Sequence, residues 1–195
     1  PSGGFTHELN SMAEQPSGGD LNPTQPSGSE VINELSKGYG ITFILNHGRP
    51  DGFITKSSGY NAANPKSFVF TFPYGGDFGD LNNLDNIGKY GLTYSISCDI
   101  GAFDLDKWFS ITDPNRKSAT ETLLSLDNKG SIAVLANSRW GWVAVSHHLA
   151  ERFVYHTFNT QNANHIGVAQ ALSKIDYIQY RDLGMDHNLY GDPQM

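Results

Sequence analysis

The sequence predicts an α/β fold in which helices cover a mainly parallel sheet. Two observations point there. Three apolar runs of strand length, "ITFILN", "LTYSIS" and "SIAVLANS", lack the alternation of a half-exposed strand and suit burial on both faces. Stretches with helical spacing and capping residues fall between and after them. A chain of 195 residues can build one good-sized core, with or without a tail. Three strands are fewer than the usual five or six. The sheet is therefore expected to be incomplete at its N-terminal side, or to take strands from another polypeptide.

Residues 1–28 carry "PSGG", "QPSGG" and "QPSG" with few apolar residues between, the composition of a linker or surface-wrapping arm. Residues 29–195 form the expected folded unit. "SEVINELSKG" is a short helix, with Ser27 or Ser29 as N-cap, Val31, Ile32 and Leu35 on one face and Gly38 as the stop. "ITFILN" is the first strand. Residues 48 to 91 are rich in Gly, Asn and Pro, with "KSFVFTFPY" as an extra strand or hairpin arm. "LTYSIS" is the second strong strand. A capping box from Ser118 to Glu121 opens the helix "SATETLLSLDNKG", which Gly130 is expected to close. "SIAVLANS" follows, then helices over "HHLAERFVYHTF" and "NHIGVAQALSKIDYIQY", the latter with Val168, Leu172 and Ile175 at helical spacing.

The net charge of −7 argues against a nucleic-acid partner, which needs clustered Lys and Arg. No stretch approaches the roughly 18 apolar residues of a membrane span. The start, "PSGGFTHELN", has no signal-peptide pattern and no initiating Met, as expected of a mature or trimmed product. Low charge content with abundant Gly, Ser, Asn and Thr is compatible with an extracellular or cell-surface protein. With one cysteine, any thiol chemistry in this chain is that of Cys98.

Two strands end on reactive side chains: "ITFILNHG" on His47 and "LTYSISCDIG" on Cys98. Neighbouring parallel strands lie about 4.8 Å apart, so groups just past their C-terminal ends overhang a common crevice. A thiol and an imidazole there have the geometry of a Cys–His hydrolase. The imidazole takes the thiol proton and later gives it to the leaving amine. Gly48 lets the backbone approach a substrate carbonyl, and its N–H with that of Cys98 could form an oxyanion hole. Asp99 is expected to point away, because a carboxylate against the sulfur would oppose the thiolate. The competing reading is structural: a lone strand cysteine is usually a small buried hydrophobe, and His-Gly often ends a strand.

Together the segments resemble the gingipain-like cysteine peptidases, which have a caspase-like fold. The likeness rests on "ITFILNHG", on "SISCDIGAFD" with Cys98, Gly101, Phe103 and Asp104, on "GSIAVLANSRWGW", and on "LYGDPQM". The resemblance implies a three-layer caspase-like sandwich covering the C-terminal half of a catalytic domain. It implies an endopeptidase with His47 as base and acid, Cys98 as nucleophile, and the Gly48 and Cys98 amides as oxyanion hole. Trp140 or Trp142 would line the substrate pocket, with Ser138 in the small-residue turn before them. No cofactor is required. A protein or peptide is the expected substrate, and the missing N-terminal half, as a separate segment, is a candidate partner. The carboxylate that orients the histidine in the family has no matching position, and Glu30 and Glu34 are poor substitutes. The alternatives are a non-catalytic caspase-like binding or assembly module, or one chain of a processed peptidase.

Asp77, Asp80 and Asp85 in "GGDFGDLNNLD" are weak calcium candidates, and gingipain-like enzymes resemble one another in binding structural calcium. The favoured reading is a solvated acidic loop. His147, His148 and His156 lack the i, i+4 histidine pair of a helical zinc motif and read as surface or partly packed residues.

Overall fold

A computed structural model describes residues 26–56, 67–104, 117–142, 145–159 and 165–195. Most of the Pro/Ser/Gly arm lies outside them. The elements are α1 (Gly28–Leu35), β1 (Ile41–Ile44), β2 (Gly48–Arg49), β3 (Gly52–Lys56), β4 (Ser67–Phe70) and β5 (Gly79–Asp80). A 3-10 turn at Leu81–Asn83 precedes β6 (Gly91–Ser95), α2 (Ala119–Ser125), β7 (Ser131–Asn137), α3 (Ser146–Phe158), α4 (Ile166–Asp176), α5 (Arg181–Asp186) and β8 (His187–Gly191).

The main sheet has the order β1-β6-β7-β8. β1, β6 and β7 run parallel, and β8 adds an antiparallel edge. Alternation along β7 divides the core into two layers. Val134 and Ala136 pack with Ile32, Ala119 and Leu123 beneath α1 and α2. Ala133 and Leu135 pack with Tyr94, Ala150, Phe153 and Ala169 beneath α3 and α4. Helices on both faces of a mainly parallel sheet make the three-layer α/β sandwich that the sequence predicts. Phe153 is fully buried against Tyr94, their ring centroids 4.9 Å apart; burying such a side chain contributes about 1.5–3 kcal/mol.

The caps follow the sequence closely. Ser27, rather than Ser29, caps α1 in a full capping box with Glu30, and Ser118 does the same for α2 with Glu121. Asn86 ties β6 to β7 at their entry: its amide donates to the Gly130 carbonyl at 2.8 Å and accepts from the Gly130 N–H at 2.8 Å.

Several elements differ from expectation. β1 is buried only at Ile44, because it lies at the sheet edge with a single described neighbour. α2 stops at Ser125, well before Gly130, as the chain turns through Asn128 at φ 56°. The buried face of α4 is Ala169, Gln170 and Ser173, whereas Val168 and Ile175 are exposed. The region after His47 forms a second sheet, β2-β3-β4-β5, anchored to α1 where the Gly28 N–H donates to Ser67 Oγ at 2.7 Å. The expected strand in "KSFVFTFPY" is β4 of that sheet.

Candidate active site

β1 and β6 place His47 and Cys98 just past the C-terminal ends of neighbouring parallel strands. Their parallel register pairs Ile44 with Ser95. Two residues further along each chain, the Asn46 N–H donates to Ser97 Oγ at 3.2 Å. The next residues are His47 and Cys98. His47 sits where the main sheet hands over to the second one: its carbonyl accepts from the Ile54 N–H at 2.9 Å, and its side chain is exposed. Gly48 then passes so close to the cysteine turn that a Cβ there would lie 2.3 Å from the Cys98 carbonyl oxygen and 2.7 Å from Ser97 Cβ. No side chain fits.

Cys98 is half-buried and opens a tight turn. The Asp99 N–H donates to the Arg139 carbonyl at 2.7 Å, and the Gly101 N–H to the Asn137 carbonyl at 2.9 Å. Asp99 adopts φ 58°, a left-handed conformation that few non-glycine residues tolerate, Asp being among them. Burial, with Asp186 and Asp104 nearby, pushes its carboxyl above the usual range, and Arg139 opposes that.

The segment after β7 closes over the thiol. The Gly141 N–H donates to Cys98 Sγ at 3.2 Å, and Sγ lies 3.5 Å from the Gly141 carbonyl, to which the thiol donates. A Cβ at Gly141 would stand 2.1 Å from the Ile96 carbonyl oxygen. Asn137 braces the same turn, its amide donating to the Ile96 carbonyl at 2.9 Å and the Ser97 carbonyl at 3.3 Å. Arg139 grips Asp104 through two bonds of 3.0 and 2.6 Å.

The family model of peptidase family C25 matches residues 5–195. The chain belongs to peptidase family C25. Among solved structures, this C25 chain is similar in fold to the Arg-specific cysteine proteinase gingipain R (RgpB), with a TM-score of 0.64 at 15% identity. It is similar also to the complex of Porphyromonas gingivalis RgpB pro- and mature domains, with a TM-score of 0.64 at 13% identity. Each match covers 87% of this chain and 36% of the other. A third similar structure, that of a protease, has a TM-score of 0.60 at 14% identity over 84% of this chain and 36% of that one. The chain thus spans about a third of the length of these relatives. No curated protein matches it. The caspase-like fold is that of the gingipain structures.

Within this C25 fold the remaining predicted residues are placed as follows. Trp140 and Trp142 flank Gly141 and lie on the surface, 58% and 52% exposed with ring centroids 6.4 Å apart. Ser138 is engaged locally: its hydroxyl donates to the Asp186 carbonyl at 3.1 Å and accepts from Asn188 at 3.3 Å. The loop acids serve separate ends. Asp80 caps the 3-10 turn, the Asp77 carbonyl accepts from Ser29 and Ser67, and Asp85 is exposed. Glu30 is spent in its capping box, and Glu34 binds Lys37 and Tyr39.

Sequence reasoning missed Gly141, Asn137 and His187. A glycine between two tryptophans was the available signal for Gly141, because a lone Gly amid bulky residues often marks close backbone approach. His187 is fully buried, its Nε2–H donating to the Ser95 carbonyl at 3.1 Å and its Nδ1 accepting from Gln170 at 2.8 Å. Since a carbonyl can only accept, these bonds select the neutral Nε2–H tautomer. Burial holds its pKa down at about 3. It is a structural histidine beneath the end of β6.

Proposed function

We propose that this chain carries the catalytic dyad of a cysteine endopeptidase, Cys98 as nucleophile and His47 as base and acid. The observation that carries this reading is the shared β1/β6 register, which runs on to the Asn46–Ser97 bond and ends with Gly48 seated on the Cys98 turn. His47 takes the proton of the Cys98 thiol, and the sulfur attacks the peptide carbonyl carbon. The resulting oxyanion is held by the N–H groups of Gly48 and Cys98; one such donor is worth roughly 3–4 kcal/mol in a well-studied protease. As the tetrahedral species collapses, the C–N bond breaks and the amine leaves with the proton from His47. A water, deprotonated by His47, then cleaves the thioester and restores the thiol.

The Gly141 amide donates to the sulfur and fixes its place at the end of the β6 segment. Trp140 and Trp142 offer exposed aromatic surface beside it for the residue preceding the scissile bond. The dyad calls on no cofactor. The substrate is a protein or peptide met outside the cell or at its surface. Among the described residues no helix is long and apolar enough to cross a membrane.

The test is cleavage of an unfolded protein substrate by the intact chain, by Cys98→Ala and by His47→Ala, with folding checked by circular dichroism. Both variants should lose cleavage while keeping the fold. Retained cleavage in either one removes the dyad.

One observation favours a second reading. The thiol also donates to the Gly141 carbonyl, so Sγ is engaged on both sides by one residue. A non-catalytic caspase-like binding or assembly module would tolerate a thiol so closed. A processed peptidase would instead need a partner segment, such as the other half of the catalytic domain, to open it. Mass spectrometry of the purified protein for a second chain separates these two cases.

A further inference from the structure

We propose that His147, His148 and Glu151, on the first turns of α3, bind a divalent transition-metal ion of the zinc class. One ligand atom from each side chain lies within 4.8 Å of the other two. His148 Nδ1 and Glu151 Oε2 are 3.2 Å apart. In a tetrahedral zinc site with bonds of 2.0–2.2 Å, neighbouring ligand atoms stand roughly 3.4 Å apart. The His148–Glu151 spacing is already close to that edge. The wider approach of His147 closes by a side-chain rotation that an exposed site permits.

The three residues fit the ion chemically. Imidazole nitrogen and carboxylate oxygen are ordinary zinc donors, and three protein ligands leave one position for water. Glu151 stands four residues after His147 and three after His148, the two spacings that share a helix face. The His147 and His148 rings already touch, with centroids 3.9 Å apart. Tyr177 lies flat against His148, its ring 5.6 Å away and tilted by only 8°. That stacking limits the freedom the imidazole loses on binding. The positive end of the helix dipole works against a cation here by a few-fold in affinity at an exposed position. The Glu151 carboxylate counters it.

This inference is independent of the Cys98–His47 dyad, and its test keeps the two apart. Zinc chloride is titrated into the intact chain by isothermal calorimetry, beside His147→Ala, His148→Ala, Glu151→Gln and Cys98→Ser. Saturable binding at a single site in the micromolar range is expected. Each histidine variant should bind at least tenfold more weakly, since even outer-shell partners of a metal carry 10–100-fold. Glu151→Gln, which preserves shape, should weaken binding while keeping the fold. Cys98→Ser should bind as the parent does. Absence of saturable binding up to about 1 mM, histidine variants matching the parent, or loss of binding in Cys98→Ser would each overturn the assignment.

Discussion

Gly48 and Cys98 meet backbone to backbone, with the space for a Gly48 side chain taken by the Cys98 carbonyl oxygen 2.3 Å away. The contact joins the end of the β1 segment to the end of the β6 segment, beside His47 and Cys98. Gly48→Ala must therefore push the cysteine turn outward. Overpacking of this kind costs about 1–3 kcal/mol. Urea unfolding should show that loss, and the same variant should lose most of any peptide cleavage. A parent-like urea midpoint would mean that the two segments are not locked together.

The Arg139–Asp104 pair leads to the opposite balance. Both partners are partly exposed, at 38% and 23%, and pairs in such settings contribute about 0–1 kcal/mol. Yet the Arg139 carbonyl receives the Asp99 N–H, and Gly141 two residues on holds the sulfur. Asp104→Asn should leave the thermal midpoint within a few degrees of the parent while lowering cleavage several-fold. Equal activity in the two proteins would show that the clasp does not position the thiol.

His187 predicts an acid-sensitive fold. Its pKa is about 3 in the folded chain, against roughly 6.5 when unfolded. As pH falls below 6.5 the unfolded chain takes up a proton that the folded one refuses. The stabilisation held by neutral His187 is complete above pH 6.5 and is lost as pH falls towards 3. The slope is at most ~1.4 kcal/mol per pH unit. Stability measured by urea unfolding between pH 7 and 4.5 should fall along this slope in the parent and more gently in His187→Gln. Parallel curves would mean that His187 does not set the acid limit.

Much of this was legible in the sequence, for identifiable reasons. The β1, β6 and β7 runs are apolar enough to announce themselves, and Ser27, Ser118 and Glu121 give their caps away by spacing. β8 escaped because "HNLYG" mixes polar and apolar residues, as an antiparallel edge strand can. The second sheet escaped because β2 and β5 are two residues each, too short to carry a pattern. On α4, of the stripe Val168, Leu172 and Ile175 only Leu172 packs against the core, and tertiary packing buries the smaller Ala169 and Ser173 instead of the other two. The positions of His47 and Cys98 at strand ends follow from local sequence. The Gly141 backbone on the sulfur does not, because it joins residues 43 apart.

The central claim is that His47 and Cys98 act as a pair, and the rate of Cys98 alkylation by iodoacetamide at pH 6 tests it most directly. No substrate need be known. The account predicts labelling at least about tenfold faster than free cysteine, whose thiolate fraction is small at that pH, and a fall to the free-cysteine rate in folded His47→Ala. A parent rate no faster than free cysteine, and unchanged by His47→Ala, would contradict it.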